Sequence, residues 1–193
     1  MAKRVFFSFH YRDVIDFRAN VVRKHWVVKG DREEAGYFDA SIWEEARKTN
    51  DLGLTRLING ALENTSVTCV LIGSETYGRP WVRYEIVKSV RRGNRVFGVH
   101  VNSIRGKDQL TKVAGPNPFD YIALKYSQDG AKVEVFEALN GKWVGYEKSP
   151  SYSLKNLTKE HRRGKQFKLS ELGYKVYDWA ADDGYDKFAD WVG

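Results

Sequence analysis

The run VTCVLIG at residues 67–73 constrains this chain more than any other stretch. It is apolar, rich in β-branched residues and free of polar alternation, so a strand built from it needs cover on both faces. A parallel sheet flanked by helices supplies that cover, and the surrounding segments agree. Residues 4–9 (RVFFSF) form a short strand pattern. Across residues 13–28, Val14, Phe17, Val21, Val22 and the run 25–28 recur at helical spacing, with Gly30 as the stop. Residues 37–40 (YFDA) read as a second strand, and Leu54, Leu57, Ile58, Ala61 and Leu62 mark a second helix. Pro80 suits the first turn of a helix that buries Val82, Ile86, Val87 and Val90 and closes at Gly93. Residues 96–101 (VFGVHV) are another buried-type strand. Such alternation predicts a doubly wound α/β fold with about five mainly parallel strands.

The pattern changes after the loop Gly115-Pro116-Asn117-Pro118. Residues 121–126 (YIALKY) are expected to be the last strand of the sheet. Residues 133–136 and 142–146 flank Asn140-Gly141, a hairpin signal, and are expected to form an antiparallel insertion at the sheet edge. Segment 149–170 is polar and basic, without a periodic pattern. Trp179, Phe188, Ala189 and Val192 predict a terminal helical region packed back on the core. The whole chain, 1–193, is expected to be one domain, with a core at about 1–126 and an insertion and extension at about 127–193.

Composition removes several function classes. Hydrophobic residues at 42% and charged residues at 30% describe a globular chain rather than a disordered one. No apolar run approaches the ~20 residues of a membrane helix, so no membrane partner is expected. The amino-terminal run turns polar at His10, Arg12 and Asp13, unlike a signal peptide, and a cytoplasmic location is expected. Cys69 is the single cysteine, which excludes an internal disulfide and a thiolate zinc cluster; its place in an apolar strand makes it a core thiol. The four histidines are scattered, and no metal is expected. The net charge of +7 favours anionic partners. Because the basic residues are dispersed, nucleic acid ranks last among these, and a phosphorylated small molecule fits.

In open α/β sheets, ligands bind beyond the carboxyl ends of the strands, where strand order reverses. That rule selects Phe6, Ser8, Phe9, His10 and Tyr11 after the first strand and Asp39 and Ser41 after the second. It adds Tyr77 after the third, with Trp81 and Glu85 one turn apart on the next helix. Position alone makes Glu85 a solvated helix residue and the aromatics core. On that basis a Glu85→Gln change is expected to cost under about 0.5 kcal/mol of stability, as on other surfaces. The glycine-rich loops of dehydrogenases and P-loop enzymes are absent, as is the Gly-x-Ser-x-Gly turn of serine hydrolases.

Three spaced motifs single out one family. KRVFFSFHYRD resembles the opening strand and box of TIR domains, and Tyr37-Phe38-Asp39 is similar to their second strand. The stretch LINGALENTSVTCVLIGSETYGRPWVRYEI resembles their helix, strand, Ser-x-x-Tyr and Trp-x-x-x-Glu. Within TIR proteins the whole chain most resembles the TIR-like component of the bacterial Thoeris antiviral defence system. It departs from receptor TIR domains in three places. Ser41-Ile42-Trp43-Glu44-Glu45 replaces the loop's Pro-Gly pair, Pro80 replaces a small residue, and Val82 replaces a cysteine.

The resemblance implies a flavodoxin-like fold and an enzyme that cleaves the nicotinamide–ribose bond of NAD, with Glu85 as the catalytic carboxylate. NAD is then substrate, and no cofactor is implied. It further implies a cyclase-type step that turns the ADP-ribose part into a diffusible nucleotide signal for a separate NAD-degrading effector, with activity awaiting a trigger. A catalytically silent TIR-like interaction scaffold is the alternative.

Overall fold

The computed structural model describes residues 3–36 and 51–193. β1 (Lys3–Phe9) leads into two short helices, α1 (Tyr11–Ile15) and α2 (Arg18–Val27), and then into β2 (Arg32–Ala35). α3 (Asp51–Leu62), β3 (Val67–Ile72), α4 (Pro80–Arg92) and β4 (Arg95–His100) follow. Next come β5 (Ile122–Tyr126), β6 (Lys132–Leu139), β7 (Lys142–Gly145), β8 (Ser151–Ser153) and β9 (Gln166–Lys168). β10 (Val176–Asp178) and α5 (Gly184–Val192) end the chain.

The central sheet has the order β2-β1-β3-β4-β10, and every neighbouring pair runs parallel. Strand order reverses between β1 and β3, which places the crevice at their carboxyl ends. Alternation along the strands divides the core. Val5, Phe7, Cys69, Leu71, Phe97 and Val99 face one side, under Ala19, Val22 and Trp26 of α2 and Phe188 and Trp191 of α5. Phe6 faces the other, with Ile58 and Leu62 of α3 and Tyr84 of α4. Val70 and Ile72 also face that side, against Val82, Ile86 and Val87 of α4. Each of these residues is at least nine-tenths buried, as two-sided cover of the sheet requires. Cys69 lies in this core, and burial raises its thiol pKa.

Strands β5–β9 form a second, antiparallel sheet in the order β7-β6-β5-β9, with β8 also paired to β6. Ile122, Leu124, Val133 and Val135 pack on the outer side of α4 through one shared cluster. The β6–β7 turn is as expected: Asn140 (φ 50°) and Gly141 (φ 75°) both adopt positive φ, the requirement of a tight hairpin turn.

Four expectations are corrected. Segment 121–126 joins the second sheet, between β6 and β9, and β10 takes its place as fifth strand of the first. The hairpin accordingly belongs to a separate sheet rather than to the parallel sheet's edge. The single helix expected over 13–28 is two, broken where Phe17 takes φ 64°. Beside that break the buried Arg18 donates to the carbonyls of Ile104 (2.9 Å) and Leu110 (2.6 Å), distant partners that periodicity cannot show. Trp179 lies between β10 and α5, not within the terminal helix. The strand expected at 37–40 lies outside the described residues. The strand observed after α2 is Arg32–Ala35, at the edge of the sheet among the described residues, with its Glu34 clasped by Arg23 at 2.7 and 2.9 Å. Charged side chains suit such an edge, because they discourage pairing with another strand.

Candidate active site

Glu85 is built into the fold's interior. It sits on α4 between Val82 and Ile86, and Ser8 of β1 lies beneath it on the sheet face that α4 covers. The Ser8 hydroxyl donates to Glu85 Oε2 at 2.5 Å, and both residues are almost inaccessible, at 0% and 3% exposure. A carboxyl removed from water resists ionisation, and burial raises Glu85 to a pKa of about 8, the Ser8 hydrogen bond pulling the other way. A polar ladder continues along the same helix. Ser89 donates to the Glu85 carbonyl at 2.7 Å and accepts from Thr68 of β3 at 2.8 Å. The helix is thereby fixed to β1 and β3 by hydrogen bonds as well as by packing. This burial overturns the solvated reading of Glu85 and with it the expectation of a surface-like cost for its replacement.

Phe6 shares this face and is fully buried among Ala35, Ile58, Leu62 and Tyr84. Trp81 packs on the same cluster, meets Tyr84 edge-on at 5.7 Å, and carries the Lys148 ammonium 4.3 Å over its ring. His10, just past β1, is partly buried. Burial and the guanidinium groups of Arg79 and Arg12 lower its pKa to about 4, so it is neutral at physiological pH.

Other residues singled out from the sequence stand apart. Phe9 packs against the opposite sheet face, with the Arg23 guanidinium 5.6 Å from its ring. Tyr11 opens α1 and is 45% exposed. Tyr77 leans on Tyr121 at 4.8 Å, where the turn after β3 meets the entry to β5. Asp39 and Ser41 lie outside the described residues.

The structure also gathers residues that the sequence did not mark. Arg12 donates to Glu75 Oε1 at 2.8 Å, and Arg79 donates to Glu75 Oε2. Asp13 is buried at the β3 end, where burial raises its pKa to about 6. A β-carbon on Gly73 would stand 2.1 Å from Asp13 Oδ1, so the close approach of α1 to the end of β3 requires glycine there. Asn102 follows β4 and donates to Ser74 at 2.9 Å. No short-range signal marks these residues as a group, because they come from three separated segments, 12–13, 73–79 and 102.

Two surface cavities lie away from Glu85. One, of about 320 Å³, sits where Asn94 and Arg95 meet Gly173 and Lys175. The other, of about 440 Å³, lies between Arg4, Glu34 and Arg56. Neither includes a catalytic candidate, so the chemistry of the crevice rather than cavity size locates the site. Among the described residues no cluster of His, Cys, Asp or Glu is arranged to hold a metal, and no helix is long and apolar enough to cross a membrane.

The chain resembles known proteins at two levels. Residues 6–105, the stretch carrying β1 to β4 and both Ser8 and Glu85, match the family described as "Thoeris protein ThsB, TIR-like domain". A protein of Bacillus cereus (strain MSX-D12) named "Putative cyclic ADP-D-ribose synthase ThsB1" is 57% identical over 192 residues, spanning 100% of both chains. A parallel β2-β1-β3-β4-β10 sheet with a carboxyl on α4 at its switch point, matched over residues 6–105 and related over its full length, makes this chain a member of the Thoeris ThsB family with a TIR-like domain.

Proposed function

We propose that the chain cleaves the nicotinamide–ribose bond of NAD and closes the ADP-ribose part into a cyclic nucleotide signal. The observation that carries this reading is the buried Glu85–Ser8 pair at the switch point, in a chain 57% identical throughout to a protein named as a cyclic ADP-D-ribose synthase.

The chemistry suits one carboxylate. As the bond from ribose C1′ to the pyridinium nitrogen breaks, its electron pair leaves with nicotinamide, which departs neutral and needs no proton. Positive charge is left on the ribose, and an ionised Glu85 stabilises it in a site where water does not screen the interaction. The electron pair of a nucleophilic atom of the same ADP-ribose then forms the new bond to C1′, and the proton that atom carries passes to solvent, which completes the ring. Ser8 orients the carboxyl throughout. Phe6 and Trp81 supply apolar and aromatic surface for the rings, and neutral His10 can hydrogen-bond without repelling the pyridinium. Glu85 is almost fully enclosed, so substrate entry requires the side chains around it to part. The product is a diffusible signal for a separate NAD-degrading effector, and the site needs no resident cofactor.

The test is nicotinamide release from NAD, followed by chromatography, with the triggered protein and its Glu85→Gln variant. The variant is expected to lose on the order of 10²–10³ in turnover, the usual loss for one preorganised electrostatic group. A folded variant that turns over at the parent's rate would refute the assignment of Glu85. No nicotinamide release under any activating condition favours the scaffold.

A further inference from the structure

Beyond the carboxyl ends of β1 and β3, two cations from different elements bond to one anion. Arg12 belongs to the first turn of α1, directly after β1, and Arg79 immediately precedes α4. Both guanidinium groups bond to Glu75, which lies in the turn after β3, one to each carboxylate oxygen. All three side chains meet solvent: Arg12 is 71% exposed, Glu75 44% and Arg79 38%. Their charges do not cancel, since two arginines face one carboxylate and His10 beside them is neutral.

We propose that Arg12 and Arg79 seat the pyrophosphate of the substrate, and that Glu75 fills that seat until substrate arrives. The proposal rests on the reading of Glu85 as an NAD-cleaving carboxylate and adds the group that binds the dinucleotide's charged centre.

Placement supports it. Arg79 caps α4 six residues before Glu85, a separation of about 9 Å along the helix axis. The pyrophosphate of NAD begins a few bonds beyond the ribose ring, so a ribose at Glu85 can lay its phosphates toward Arg79. Arg12 approaches from α1, four residues beyond Ser8, and closes the other side. The chemistry agrees. Guanidinium groups bind phosphate oxygens in a planar, two-bond geometry, and a pyrophosphate carries twice the charge of Glu75. An exposed ion pair is weak in water, so Glu75 is readily displaced. The amino end of α4, with its partial positive charge, favours the same anion.

The experiment measures calorimetric binding of ADP-ribose, which carries the pyrophosphate but has no nicotinamide to lose. It compares the full-length parent with Arg12→Gln, Arg79→Gln, their double variant and Glu75→Gln. Each single arginine variant is expected to weaken binding by roughly 10-fold, the usual scale for one charged hydrogen bond, and the double variant by more. Glu75→Gln is expected to tighten it severalfold by freeing both arginines. In turnover of NAD, the arginine variants are expected to raise KM and leave kcat within about twofold, as loss of uniform binding does. Equal ADP-ribose affinity in the parent and the double variant overturns the proposal and leaves the triad a surface ion pair only. Absence of ADP-ribose binding by the parent overturns it as well. Because this binding involves no bond cleavage, an inactive parent that still binds ADP-ribose through Arg12 and Arg79 counts against the reading of Glu85 and not against the seat.

Discussion

Glu85 sits in surroundings that oppose the role proposed for it. The fold shields it from water and so favours its neutral acid, whereas stabilising a cationic ribose requires the anion. Its folded pKa of about 8 lies above the ordinary value of 4.5. In the free enzyme the ionised fraction therefore grows as pH rises toward 8. The expected outcome is a kcat/KM that climbs with pH from 6 to about 8 and then levels, since kcat/KM reports groups of the free enzyme. A flat profile over that range would show that Glu85 is not the titrating group. The same shift bears on stability. Between the unfolded and folded pKa values the unfolded chain holds fewer protons at this position, so stability falls as pH rises from about 4.5 to 8. Glu85→Gln cannot ionise and retains a hydrogen-bonding partner for Ser8. Its melting temperature is thus expected to match the parent's near pH 5 and to exceed it increasingly toward pH 8. Thermal melts across that range check this directly.

At the level of elements, α4 is the part that everything else positions. The sheet holds it from below through Ser8 and Thr68, and the second sheet holds it from outside. One bond between α4 and the second sheet is charged. Arg83 of α4 donates to Glu137 of β6 at 2.8 Å and to the Tyr77 carbonyl at 3.1 Å, with the arginine side chain 7% exposed and the glutamate 17%. Removing one partner of such a buried pair strands the other charge. Arg83→Met is expected to cost about 3–5 kcal/mol, with much of the loss recovered by adding Glu137→Leu. Denaturant titration of both single variants and the double variant measures the coupling; additive costs would show that the pair is independent of its partner's charge.

Across the whole molecule, the ends of the chain complete the centre. β10 is the fifth strand of the parallel sheet, and Trp179, Phe188, Trp191 and Val192 fill the core face beneath α2 and β1. Tyr177 of β10 stacks on Trp191 at 4.2 Å. A chain truncated after residue 126, where the sheet was expected to end, would expose Phe7, Trp26 and Phe97, now at most 2% exposed. Such a chain is expected to be unfolded or insoluble by circular dichroism and gel filtration. A cooperative melt from it would overturn this view of the core.

Several features were legible in the sequence because they depend on neighbours a few residues apart. Continuous apolar runs gave β3 and β4, helical spacing with Pro80 and Gly93 gave α4, and Asn140-Gly141 gave the β6–β7 turn. The crevice rule, together with the resemblance of WVRYE to the family's motif, gave Ser8 and Glu85 as candidates. Tertiary structure decided what depends on distant partners. Segment 121–126 has the pattern of a parallel strand, yet its backbone pairs with β6 and β9, a choice that pattern cannot encode. β10 is three residues long, too short for any periodicity, and is a strand only because β4 offers it an edge. Glu75 and Arg79 stand four residues apart, but Arg12 is distant in sequence and meets them only where β1 and β3 end side by side. Glu85 has the spacing of a surface residue between Lys88 and Trp81; it is buried because the sheet below and the second sheet outside leave α4 almost no face toward water.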